Sequence, residues 1–214
     1  MKQIPSCLLV FLVIVLSACQ SSLISDLAAR PGERLFWDDF SDASGNWPQV
    51  SGPNGSLGVV LGAYRIQVLS THYEVLATPG YTFRDVRVEA DATRVAGPIQ
   101  NLFGLICRSS HSKNFYFFAI SSDGYYALGK IINGKTALLG QEMMAYNANI
   151  LTGDGPNHLR FDCIGETLTG YVNGQKIATS NDTDFSSGEV GMVAGALETA
   201  GVDVAFDNFE VHKP

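Results

Sequence analysis

Residues 101–139 read NLFGLICRSSHSKNFYFFAISSDGYYALGKIINGKTALL, and this stretch decides the fold. Its centre, Phe115-Tyr116-Phe117-Phe118-Ala119-Ile120, is apolar or aromatic at both parities of a period-2 strand. Both faces of such a strand must be covered by protein, which places it in the interior of a sheet. Ser121-Ser122-Asp123-Gly124 then breaks the pattern, and Asn133-Gly134 breaks it again. Asp-Gly and Asn-Gly supply the side-chain hydrogen bond and the positive φ that tight hairpins need. The stretch therefore predicts four consecutive antiparallel strands.

Working outward, the chain has 214 residues, of which 46% are hydrophobic and 16% charged. That is enough apolar material for one sizeable core and too little for two. Its 22 glycines, many in Asn-Gly or Asp-Gly pairs, suit many short strands joined by tight turns rather than long helices. A net charge of −7 and the lack of any basic run exclude the electrostatic footprint of nucleic-acid binding.

Further strands are predicted on either side. Residues 35–40 open the sheet, and residues 58–61 and 63–68 follow, the latter alternating Tyr64 and Ile66 against Arg65 and Gln67. Residues 85–95 alternate Val86, Val88, Ala90 and Ala92 against Arg87, Glu89, Asp91 and Thr93, which gives that strand one wet face. Residues 158–164 and a hairpin over 167–179 about Asn173-Gly174 come next. A type I′ register there pairs Val172 with Gln175 and Gly170 with Ile177, so that Leu168, Val172 and Ile177 share a face. Residues 190–194 and 202–211 finish the sheets. Phe206 and Phe209 differ in parity, which predicts a bulge near Asp207 or Asn208. The whole is an all-β protein, a two-sheet antiparallel sandwich over residues 34–214.

The front of the chain carries an address. Lys2 precedes the apolar run of residues 7–16, which is too short to span a bilayer comfortably and reads as the core of a signal peptide. It ends in Leu16-Ser17-Ala18-Cys19, which resembles the bacterial lipobox. The resemblance implies that residues 1–18 are removed, that Cys19 is acylated, and that the lipid holds the protein on a membrane of the bacterial cell envelope, facing the periplasm or the exterior. Gln20 after the cysteine resembles lipoproteins sorted to an outer membrane. Residues 19–33 then form a polar tether closed by Pro31-Gly32.

The strand and hairpin NHLRFDCIGETLTGYVNGQKIA, the opening WDDFSDASGNW, the central FGLICR and NFYFFAISSDGYYALGK, and the closing FDNFEV together resemble the laminin-G and concanavalin A-like lectin/glucanase superfamily over residues 35–212. Membership implies a jelly roll of two curved sheets with adjacent first and last strands and a concave face that holds sugar in many relatives. The glucanase branch carries Glu-x-Asp-x-Glu on one strand, its outer glutamates serving as nucleophile and acid/base. The nearest match here is Glu89-Ala90-Asp91-Ala92-Thr93, in which a threonine replaces the second catalytic carboxylate. No catalytic residue is assigned. His72, His111, His158 and His212 are scattered, and neither a nucleophile elbow nor a phosphate loop is present.

Three other constellations stand out. Arg108, Tyr116, Tyr126 and Lys130 combine aromatic platforms with polar hydrogen-bonders, as a sugar-binding face would, and equally as core tyrosines with edge cations would. Asp38, Asp39 and Asp42 near the first strand and Asp207 near the last offer hard oxygens suited to a structural Ca²⁺, or short acids that accept turn N–H groups. Cys107 shares parity with Phe103 and Leu105, and Cys163 with Leu159 and Phe161. With Cys7 removed and Cys19 acylated they remain as a pair, and a Cys107–Cys163 disulfide is predicted, two buried free thiols being the alternative. The expectation is a lipoprotein presenting a non-catalytic sandwich that binds a glycan or an envelope protein, with a glycan-degrading enzyme on the same fold as the alternative.

Overall fold

The computed structural model describes residues 29–111 and 113–214. The signal run, Cys19 and the first part of the tether lie outside the described residues. Seventeen strands run along the described chain, in order β1 (Arg34–Asp38), β2 (Val50–Gly52), β3 (Gly55–Val60), β4 (Ala63–Val68), β5 (Tyr73–Ala77), β6 (Thr82–Phe83), β7 (Val86–Ala96), β8 (Asn101–Ser109), β9 (Phe115–Ile120), β10 (Tyr125–Ile132), β11 (Lys135–Leu138), β12 (Ala145–Tyr146), β13 (Asn157–Ile164), β14 (Thr167–Val172), β15 (Gln175–Asn181), β16 (Gly188–Ala196) and β17 (Val202–His212).

They form two antiparallel sheets. The nine-stranded sheet runs β15-β14-β13-β7-β17-β4-β3-β2, with β1 also paired to β17. First and last strands are thus adjacent. The eight-stranded sheet runs β11-β10-β9-β8-β16-β5, with β12 on β10 and β6 on β16. This is the concanavalin A-like sandwich, and residues 101–139 supply β8 to β11 as consecutive neighbours of the second sheet.

All six residues of β9 are buried, and the two parities are covered differently. Tyr116, Phe118 and Ile120 join the main core between the sheets, where they meet Val88, Phe161, Leu168 and Phe206 from the facing sheet. Phe115, Phe117 and Ala119 point to the outer face and cluster with Ile106, Ala127, Ile131 and Val193. Asn133 at φ 53 and Gly134 at φ 75 make the tight turn between β10 and β11.

Cys107 of β8 and Cys163 of β13 form a disulfide, both fully buried, joining one sheet to the other. Closing a loop with a sequence separation of 56 stabilises the fold by about 4 kcal/mol in the chain-entropy model. The β7–β17 register shifts between Asp207 and Glu210, and Asn208 has φ 50. That bulge lets Phe206 and Phe209 both face the core despite their spacing.

The β14–β15 register differs from the sequence expectation. Val172 pairs with Gln175, but Gly170 pairs with Ala178 rather than Ile177. A bulge opposite the Gly170–Tyr171 step adds a residue to edge strand β15, and both Ile177 and Ala178 then pack against the core. Gly170 has its own reason to lack a side chain, because a Cβ there would collide with the Phe118 ring across the sandwich.

Candidate functional site

Three of the four residues read as a sugar-binding face come together, on intramolecular partners. Tyr116 is fully buried; its hydroxyl donates to Asp182 Oδ1 at 2.6 Å and accepts from the Phe185 amide at 3.0 Å. Burial, reinforced by Asp182, pushes that hydroxyl up to about 12. Lys130 Nζ bridges Asp182 at 2.5 Å and Asp184 at 2.6 Å. Arg108, only 2% exposed, donates to the carbonyls of Arg84 and Phe185 and to Asp85 Oδ1. Together they stitch the loop after β15 to the end of the eight-stranded sheet. Tyr126 stands apart, half-buried against the main core.

The aspartates serve turns. Asp38 accepts from the Phe40 amide, where the chain leaves β1 at φ 51, while Asp39 accepts from Ser41, Asp42 from Ser44 and Asp207 from Asn208. Asp38 lies opposite Phe209 and Asp207 opposite Asp91, so the Ca²⁺ reading finds no shared ligand set. Among the described residues no three His, Cys, Asp or Glu side chains gather as a metal site.

Glu89 and Asp91 sit on the outer face of the nine-stranded sheet within a ladder of ion pairs. His158 Nδ1 is 2.8 Å from Asp91 and Nε2 is 3.5 Å from Glu89, while Arg87 and Arg160 flank Glu89 at 3.7 and 3.9 Å. The Glu89 and Asp91 carboxylates hold the His158 imidazolium up to about 9 against the opposing effect of burial. Arg160 also stacks on Tyr171 at 4.3 Å. This face is wet, as the alternation of residues 85–95 predicts, and its charges are paired, although Arg87 Nε has no hydrogen-bond acceptor among the described residues.

Hollows occur on both outer faces: one of about 470 Å³ lies over β2–β4 of the nine-stranded sheet, lined by Gln49, Ser56, Arg65 and Gln67, and two lie outside the eight-stranded sheet. The first of these two, about 520 Å³, is lined by Tyr73, Glu74 and Leu76 of β5 and, from the other side, by Lys113, Ile131 and Thr136. On a flat sheet the five strand steps from β5 to β11 would separate these walls by about 24 Å, at ~4.8 Å per step. One cavity touches both, so the sheet curls into a trough, with Ile131 and Leu76 of the outer apolar cluster in its lining. A second cavity of about 460 Å³ shares His72 with the first and extends past Gln100, Ser121, Tyr125, Met143 and Leu197.

The mouth of that second cavity has an aromatic platform. Tyr125 is 40% exposed and meets Tyr146, 61% exposed, edge to face at 5.8 Å. The two are directly opposed in the β10–β12 ladder, and Tyr146 lies over Gly124, where a Cβ would fall 2.8 Å from the ring. Glu74, on the other cavity's wall, has its carboxyl pushed up by desolvation. Neither Tyr125 nor Glu74 was singled out from the sequence. The available signal was the Tyr125-Tyr126 pair, in which one ring must face outward whenever the other faces the core.

No protein-family model matches the chain, and no curated protein matches it. Solved structures do. The chain is similar to the carbohydrate-binding module CBM66 from Bacillus subtilis, with a TM-score of 0.63 and 17% identity over 78% of this chain and 96% of that one. It is similar to a Bacillus subtilis protein of unknown function with a galectin-like fold, at 0.62 and 14%, over 86% and 97%. A Bacillus licheniformis β-glucanase follows at 0.58 and 13%, over 84% and 98%. At these identities the likeness is one of fold, and the class it defines is the concanavalin A-like sandwich.

Proposed function

We propose that this protein is a non-catalytic glycan-binding sandwich that takes a saccharide along the trough outside the eight-stranded sheet. The observation that carries this reading is the Tyr125–Tyr146 platform at the mouth of a cavity also lined by Gln100, Asp123 and Glu198. Aromatic rings cover the apolar face of a sugar, and polar groups beside them fix its hydroxyls. The likeness to a carbohydrate-binding module supports the same reading.

The likeness to a β-glucanase raises the enzymatic alternative. A retaining mechanism needs two carboxyl groups about 5–5.5 Å apart across the scissile bond. The interior strand β9 turns Phe115, Phe117 and Ala119 outward and carries no carboxylate at these positions. Glu89 and Asp91 lie on the opposite outer face, held by His158. Asp123 and Glu198 line the Tyr125 cavity and Glu74 the other, so an assay for reducing ends released from a bound glycan separates binding from cleavage. We propose binding, and sustained release would overturn it.

The lipobox-like Leu16-Ser17-Ala18-Cys19 places this domain, on our reading, on a lipid anchor in the bacterial cell envelope. Mass spectrometry of membrane-extracted protein should find an acylated Cys19 at the N-terminus, and cleavage elsewhere would contradict the anchor. For the trough, a glycan array should yield a ligand whose binding falls by about tenfold or more in Tyr125→Ala, since truncating an aromatic binding hot spot costs about 2 kcal/mol. A ligand bound equally well by that variant would overturn the site.

A further inference from the structure

We propose that the trough selects saccharides that are zwitterionic, carrying an ammonium and a carboxylate on the same unit, with Glu74 and Lys113 as the two determinants. This rests on the trough being the binding site, and it adds the ligand's charge pattern.

Glu74 and Lys113 line the same cavity from opposite walls. Glu74 stands on β5, opposite Gly195 of β16, and its Cγ is 3.2 Å from where a Gly195 Cβ would be. The missing side chain lets the Glu74 stem lie close against the sheet. Lys113 belongs to the turn between β8 and β9; its carbonyl accepts from the Gly134 amide at 3.0 Å, and its Cδ is 4.0 Å from where a Gly134 Cβ would be. A backbone hydrogen bond and a stem contact thus hold the lysine at the turn between β10 and β11.

No ion pair joins these two charges, and neither side chain has a hydrogen-bond or ion-pair partner among the described residues. That sets them apart from Arg65–Asp203, Arg108–Asp85 and Lys130–Asp182, which are matched within the fold. Glu74 and Lys113 are both exposed at the cavity, and partial desolvation of Glu74 beside Leu76 raises its carboxyl pKa without a counter-charge. A ligand ammonium would offset it, and a ligand carboxylate would meet Lys113 in the same way. A neutral sugar brings hydroxyls to both, and a singly charged sugar matches one and leaves the other. Thr136 lines the same cavity and supplies a hydroxyl for the rest of the ring.

Four hexose probes of one ring size separate the cases: muramic acid, with amine and carboxylate; glucosamine, with the amine; glucuronic acid, with the carboxylate; and glucose, with neither. Calorimetry on the full chain in detergent should show muramic acid bound most tightly, by about tenfold or more over glucose. Glu74→Gln should erase the advantage conferred by the amine and Lys113→Met that conferred by the carboxylate, while circular dichroism stays unchanged. If all four sugars bind alike, and Tyr125→Ala weakens all four, the charge selection is wrong and the trough stands. If none of the four binds, the selection is equally wrong, and the array ligand with Tyr125→Ala then decides the trough by itself. Binding indifferent to Glu74→Gln, Lys113→Met and Tyr125→Ala would remove both.

Discussion

His158 stands between Glu89 and Asp91 on the wet face of the nine-stranded sheet, and those carboxylates hold its imidazolium up to about 9. Because the folded value lies above the ordinary 6.5, the ion pairs stabilise the fold fully below about 6.5 and are lost as pH rises through about 9. The side chain is 46% exposed, so solvent screening trims the contribution to about 1 kcal/mol. NMR titration should place the His158 midpoint near 9, and Glu89→Gln should bring it down while the domain stays folded. A midpoint at the ordinary value would show that the ladder does not form in solution. The wetness of this face was legible from the alternation of Arg87, Glu89 and Asp91 with Val86, Val88 and Ala90. The partner was not, since β13 reaches β7 only through long-range pairing.

At the level of elements, β9 and β14 meet where the Phe118 ring occupies the space a side chain on Gly170 would need. Gly170→Ala should therefore overpack the core and cost about 1–3 kcal/mol, read as a lower urea midpoint at unchanged slope. An unaltered midpoint would mean that the two strands pack more loosely than described. The centre of the fold was legible because Phe115–Ile120 is apolar at both parities and its flanking turns are explicit. The wall opposite was not. Strand β5, Tyr-Glu-Val-Leu-Ala, has only a weak alternation and sits on the sheet edge, so nothing local marks it as one side of a trough. Nor does sequence say which parity of β9 and β10 faces the core. That is why Tyr116 and Lys130 read as surface candidates, whereas the fold gives Tyr116 to the interior and Lys130 to Asp182 and Asp184.

Taken whole, the molecule presents two outer faces of opposite character. One carries a ladder of paired charges across β7 and β13 beside a hollow over β2–β4; the other curls into a trough lined by aromatic, polar and apolar groups. The buried Cys107–Cys163 bond ties the two sheets together behind both faces. A saccharide can thus be tested against either face in a single experiment. The most direct measurement is an amide chemical-shift titration of the domain with a bound glycan. The shifts should concentrate on Tyr73, Glu74, Gln100, Tyr125, Tyr146 and Leu197 around the trough, whereas a response centred on Glu89, Asp91, His158 and Arg160 would contradict the account.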